Sequence, residues 1–278
     1  MVDDTTGDGG RPPRRPAGPG RNGPARRNPS APRRPAPQRS RGAGRPPNPV
    51  PDGSEQPSRP TPPIPPTVEA KQLSAEIRAE LATLDRATAD TVARHLVAAG
   101  DLLDDDPQAA LAHAQAARNR SGRIAAIREA VGIAAYHCGD WAQALSEFRA
   151  ARRMGSKSLL LPLIADCERG VGRPERAIEL ARSAEAAALT GDDADEMRIV
   201  AAGARADLGH LDQAAAVLSS PPLDPARTGA TAARLFYAYA ETLLALGRND
   251  EAVQWFVHAA AADSDGVTDA EDRIDELT

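Results

Sequence analysis

The sequence predicts an all-α fold of stacked helical hairpins behind a disordered tail. Three observations carry this. Of 25 prolines, 19 lie in residues 1–66, which leaves 6 for residues 67–278. From Val68 onward about a quarter of the residues are alanine, with Leu, Glu, Asp and Arg filling in, a mixture that favours helix. Chain breakers then recur at regular intervals: Asp104-Asp105-Asp106-Pro107, Gly139-Asp140, Gly170-Val171-Gly172-Arg173-Pro174, Gly209-His210 and Gly247-Arg248. The domain organisation follows, with a tail over 1–66 and a helical repeat domain over 67–278.

The tail comes first. It holds 12 Arg against 5 acids, whereas the remainder holds 22 basic residues against 34 acids, so the net charge of −5 describes neither part. Residues 11–51 contain 11 Arg and no Lys, acid or aromatic residue. Such a segment buries too little apolar surface to offset its chain entropy and is expected to stay disordered. It reads as a solvated spacer or as an arm attracted to anionic surfaces, where arginine without aromatics suits phosphate contact. Arg59, Pro62 and Pro65 have polyproline-ligand spacing, but in so proline-rich a stretch they read as a stiff spacer.

The helices follow in order. A short helix is expected at about 74–84, starting at Ser74 and burying Ile77, Leu81 and Leu84. Paired helices are expected at about 87–103 and 108–119, 122–138 and 141–153, 158–169 and 174–188, 193–208 and 211–219, and 229–246 and 250–262. Ser220-Pro221-Pro222-Leu223-Asp224-Pro225 is the longest internal interruption. A terminal helix at about 269–277 is expected to cap the stack, with Thr268 and Glu271 spaced as a capping box.

The repeat shows in the small residues. Ala110, Ala144, Ala177, Ala214 and Ala252 stand 34, 33, 37 and 38 residues apart. Twelve residues before each stands another small residue: Ala98, Gly132, Ala165, Ala202 or Ala240. Four residues after each stands Ala114, Phe148, Ala181, Leu218 or Phe256, on the same helix face. One small position on each of two consecutive helices predicts close backbone approach there.

This register resembles the tetratricopeptide repeat, a helix–turn–helix unit of about 34 residues. The clearest copy is Glu129 to Ala151, through Gly132, Gly139, Trp141, Ala144, Phe148 and Ala151. The last copy matches through Gly247, Ala252, Phe256 and Ala259. Asp105 replaces the turn glycine in the first copy, Pro174 the aromatic in the third, and Pro221 the closing alanine in the fourth. The resemblance covers about residues 86–262 and implies a right-handed α-solenoid of about five hairpins, whose first helices line a concave face. On that face it places His95, Glu129, Tyr136, His137, Asp166, Arg169, Tyr237 and Glu241. The lysine and asparagine pattern of chaperone-binding members is absent, so chaperone tails are not the expected ligand. The whole chain also resembles repeat proteins of GC-rich actinobacteria that carry a similar Arg/Pro arm, which implies no known activity.

Enzyme chemistry finds little support in the motifs. His95, His113, His137, His210 and His258 fall in different repeats without metal-ligand spacing and read as surface histidines. Gly170-Val171-Gly172 is a turn rather than a dinucleotide fingerprint, and neither a phosphate-loop motif nor a nucleophile elbow occurs. Cys138 and Cys167 read as small core residues. The acid runs Asp104-Asp105-Asp106 and Asp192-Asp193 read as helix-start acids. No cofactor and no metal are therefore expected.

Charge supplies the remaining candidate. Between Arg118 and Lys157 stand 8 basic residues and 3 acids, and residues 263–278 hold 7 acids and one Arg. Arg118, Arg120 and Arg123 surround one loop, and Arg149, Arg152, Arg153 and Lys157 surround the next, so a joint basic patch is expected. The basic arm is a candidate to fold back on the acidic end or to bind another copy's end. No apolar stretch approaches the ~20 residues of a membrane span, and Met1-Val2-Asp3-Asp4 lacks signal-peptide character. The expectation is a cytoplasmic, non-enzymatic adaptor that binds a protein or peptide; the alternative is an RNA-, ribosome- or DNA-associated accessory protein that uses the arm and the 118–157 basic patch.

Overall fold

The computed structural model describes residues 61–156 and 158–278. The tail through residue 60, with Arg59, and Lys157 of the basic patch lie outside the described residues. Among the described residues there are thirteen α-helices and no strand.

The chain enters as an extended segment that is more than a spacer. Val68 is buried against Val97 and Ala98, with Ile64 and Leu73 packed beside it. Arg94 Nε donates to the Val68 carbonyl at 3.0 Å. Packing thus begins at Ile64, inside the stretch expected to be tail, because Ile64 and Val68 are its apolar residues. After a 3-10 turn at Ala70–Gln72, helix α1 (Ala75–Leu81) starts where Ser74 accepts from Ile77 N. It buries Leu81 fully and Ile77 partly.

Five helix pairs follow: α2 (Arg86–Asp101) with α3 (Pro107–Arg120), α4 (Ala125–His137) with α5 (Trp141–Arg153), α6 (Leu161–Gly170) with α7 (Pro174–Ala181), α9 (Gly191–Asp207) with α10 (Leu211–Leu218), and α11 (Ala230–Ala245) with α12 (Asn249–Ala262). Helix α8 (Ala184–Ala187) is a single turn after α7, and α13 (Ala270–Leu277) packs on α12. Each pair packs within itself and on its sequence neighbour. That pattern is the nearest-neighbour contact of stacked hairpins.

Four of the five hairpins turn identically. Three residues join the helices at 138–140, 171–173, 208–210 and 246–248. The middle one is a glycine with positive φ: Gly139 at 71°, Gly172 at 75°, Gly209 at 76° and Gly247 at 74°. In the second hairpin Gly139 N donates to Tyr136 O and Asp140 N to Ala135 O, which satisfies the last carbonyls of α4. The first hairpin has Asp105 where glycine stands elsewhere, and its connection is Leu102–Asp106, two residues longer.

All ten aligned small positions, from Ala98 and Ala110 to Ala240 and Ala252, are buried. Gly132 shows why size matters there. A Cβ on it would stand 2.6 Å from Phe148 Cδ1 and Cε1, well inside van der Waals contact.

Three local expectations are corrected. The helix expected at 174–188 ends at Ala181, because Ser183 leaves the helical conformation and caps α8 through Ala186 N at 3.1 Å. The helix expected to start at 158 begins only at Leu161. The capping box at Thr268 and Glu271 does not form. Thr268 instead donates its N–H and its hydroxyl to Asp263, each at 2.7 Å, and α13 starts at Ala270, where Asp269 makes no side-chain cap.

Candidate interaction surface

The first helices carry a polar chain. Tyr136 at the end of α4 donates to Asp166 Oδ2 on α6 at 2.5 Å. Arg169, one turn further on, donates to Asp166 Oδ1 at 2.7 Å. The same guanidinium reaches α9 and donates to both oxygens of Asp207, at 2.8 and 3.2 Å. Three hairpins are thereby joined by side chains of their first helices. Burial, and then the Asp166 carboxylate, push the Tyr136 hydroxyl well above its ordinary range. Burial works against the Arg169 charge, but Asp207 and Asp166 outweigh it and its pKa is raised.

Glycine makes room for this chain too. A Cβ on Gly203 would lie 2.5 Å from Arg169 Cζ, so the guanidinium lies flat on bare α9 backbone. Trp141 packs over Gly170 in the same way, and its ring meets Tyr136 edge-on with centroids 5.0 Å apart. Nearby, Ser158 donates to Glu129 at 2.7 Å, and His137 is exposed.

The eight residues expected on the concave face divide three ways. Glu129, Tyr136, His137, Asp166 and Arg169 stand on α4 and α6. Tyr237 and Glu241 are engaged by α13. Arg273 donates to Glu241 at 2.9 Å and lies 5.7 Å over the Phe256 ring. Burial and Asp269 push the Tyr237 hydroxyl up. His95 is corrected: it is 1% exposed and lies in the core. Its Nδ1 is 3.0 Å from Nδ1 of His113, itself 4% exposed, so one ring donates and the other accepts. The α2–α3 interface has no aromatic residue to fill it, and the imidazoles do so. Burial lowers both pKa values, that of His95 to about 4, with the neighbouring charges of His113, Arg120 and Arg94 adding to it.

The basic patch is partly consumed by buried acids. Glu147, 4% exposed, takes Arg118 and, at 2.8 Å, Arg128. Glu168, 2% exposed, takes Arg149, and Arg152 pairs with Glu185. Asp195 repeats the pattern with Arg198 and Arg227. A carboxylate so buried needs a partner, and these arginines supply it. Arg120, Arg123 and Arg153 have no ionic partner among the described residues.

Sequence reasoning missed Asp207, His113, Glu147 and Glu168. Asp207 was within reach: it stands two residues before Gly209, as His137 stands two before Gly139. Cys167 is buried and its thiol is pushed up to about 12, first by burial and then by Asp166 and Glu168. Among the described residues no three His, Cys, Asp or Glu side chains gather as metal ligands would. No helix among them is long and apolar enough to cross a membrane.

The family described as tetratrico peptide repeat matches residues 164–265, from α6 to just beyond α12. Over these residues the chain is similar to the tetratricopeptide repeat, within an all-helical structure. Repeats of this kind generally mediate protein–protein interaction, and the family is typically non-catalytic. The tetratricopeptide-like match covers the last three hairpins. The copy with the most complete repeat pattern, Glu129–Ala151, precedes it. No curated protein matches the chain.

Proposed function

We propose that this chain is a non-enzymatic, cytoplasmic adaptor, a right-handed solenoid that binds a segment of a partner protein along its first helices. The observation that carries this reading is the Tyr136–Asp166–Arg169–Asp207 chain, which fixes three hairpins to one another beside exposed His137. A face held rigid in this way loses little conformational freedom on binding. The arginine-rich tail adds weak electrostatic attachment and raises the effective concentration of the repeat near an anionic partner.

A photo-crosslinking residue at His137, compared with one at exposed Gln254 on α12, tests this in nuclease-treated lysate. The expected result is a protein adduct from position 137 that position 254 does not give. Equal labelling from both positions, or recovery of nucleic acid alone in untreated lysate, would sink the reading. The second outcome would promote the nucleic-acid accessory role, in which tail arginines contact phosphates and affinity falls steeply with salt.

A further inference from the structure

A second surface lies on the other helices of the repeat. Where α5 meets the α6–α7 turn there is a depression of about 290 Å³. Its charged lining is Arg149, Arg153 and Arg173, and Ser146 adds a hydroxyl. Ala142, Leu145 and Val171 complete the wall. Glu168 stands beside it, almost fully buried. Its Oε1 takes Arg149, whereas its Oε2 accepts no hydrogen bond and lies 3.6 Å from Arg173.

We propose that this depression binds a single phosphomonoester group. Charge arithmetic selects the ligand. Three guanidinium groups against one carboxylate leave +2, and a phosphomonoester carries about −1.5 to −2 at neutral pH. One carboxylate would leave half of that charge unmatched. Donor geometry agrees: each guanidinium offers a planar fork of N–H groups suited to phosphate oxygens. Arg149 donates to Glu168 and Arg173 faces the same carboxylate at 3.6 Å without a hydrogen bond, so the Arg153 fork is unpaired among the described residues and Arg173 keeps N–H groups to offer a ligand. The site is also confined. Arg118, Arg128 and Arg152 are held by Glu147 and Glu185, so among the described residues these arginines do not extend the cluster into the track that a nucleic-acid backbone needs.

The test uses the full-length chain and a fluorescein-labelled pentapeptide with a central phosphoserine, followed by anisotropy. Matching peptides carry serine or aspartate at the centre. Inorganic phosphate and oligothymidylate serve as competitors. The phosphopeptide is expected to bind at least about tenfold more tightly than the aspartate peptide, and the serine peptide not at all. Arg153→Gln and Arg173→Gln are each expected to weaken it about tenfold, as loss of a charge-assisted hydrogen bond would. Arg120→Gln, at the end of α3 and outside the depression's lining, is expected to leave it unchanged. Melting followed by circular dichroism confirms that the variants fold. Competition by inorganic phosphate as strong as by the phosphopeptide assigns the site to free phosphate. Much weaker competition assigns it to a phosphorylated side chain, and either result supports the site. Equal binding of the serine and phosphoserine peptides would overturn it. So would affinity unaltered by both substitutions, or oligothymidylate binding weakened as much by Arg120→Gln as by Arg153→Gln.

Discussion

The first and last hairpins answer the same packing problem with opposite chemistry. Both place alanine at the two close-approach positions, Ala98 with Ala110 and Ala240 with Ala252. Four residues on, the first has Ala114 and the last Phe256, each fully buried. The last hairpin fills its interior with Phe236 and Phe256, flanked by Tyr237, Tyr239 and Trp255. The first fills the space with a hydrogen-bonded pair of imidazoles. Their outer sides differ as well: an extended segment ending at Val68 covers α2, and helix α13 covers α12. The repeat thus fixes where backbones approach and leaves the filling free. One filling is indifferent to pH and the other is not.

The sharpest way to break this comparison is to empty the aromatic core. Phe256→Ala is expected to cost about 3–5 kcal/mol, the range for deleting a buried phenyl ring. Denaturant unfolding measures it, and a loss below about 1 kcal/mol would mean that the last hairpin does not depend on that ring.

Acid tests the other filling. The folded chain holds His95 deprotonated down to about pH 4, whereas the unfolded chain protonates it near 6.5. The unfolded state therefore binds more protons in this window, and stability falls as pH falls from 6.5 to 4. The shift corresponds to a loss of about 3 kcal/mol for this one group. Urea midpoints at pH 7, 5.5 and 4.5 should fall, and the fall should shrink in a His95→Gln, His113→Gln double variant. An undiminished fall would assign the acid sensitivity to other groups.

The turns sharpen the contrast on a smaller scale. Gly247→Ala forces a Cβ into the left-handed region and is expected to cost about 1–2 kcal/mol. The first hairpin offers no such target, because its longer connection contains no glycine. It relies on a cap instead, where Asp106 accepts from Ala109 N at 3.0 Å. Asp106→Ala should cost about 1 kcal/mol. Alanine at Arg248, where α12 starts without a capping side chain, removes only an exposed pair with Glu251, worth less than a cap. A thermal melt in which Asp106→Ala and Arg248→Ala lose equal stability would erase the distinction.

Much of the architecture was legible in the residues. Helix α5, expected at 141–153, spans Trp141–Arg153, because glycine marks its preceding turn and Asp140 its cap. Pro221 and Pro222 marked the weak fourth hairpin, where α10 is cut short. The candidate face was legible in part. The tetratricopeptide resemblance put Tyr136, Asp166 and Arg169 on first helices, and the structure links these three to Asp207. The pairing of Arg118 and Arg149 within the basic patch was not legible, because Glu147 and Glu168 look like ordinary surface acids until their burial is known. The arginines that hydrogen-bond them lie 19 and 29 residues away for Glu147 and 19 for Glu168, far outside any helical neighbourhood.

The sequence by itself determined the helices, their turns and the positions of close approach. These depend on neighbours within about one helical turn: glycine for positive φ, proline as a stop, alanine spaced to meet alanine. Only the tertiary structure decided that two histidines share the core of the first hairpin, that buried acids take up several of the arginines, and that Arg169 lies across Gly203. Each of these is a contact between helices, and its energy depends on burial and distance rather than on spacing along the chain.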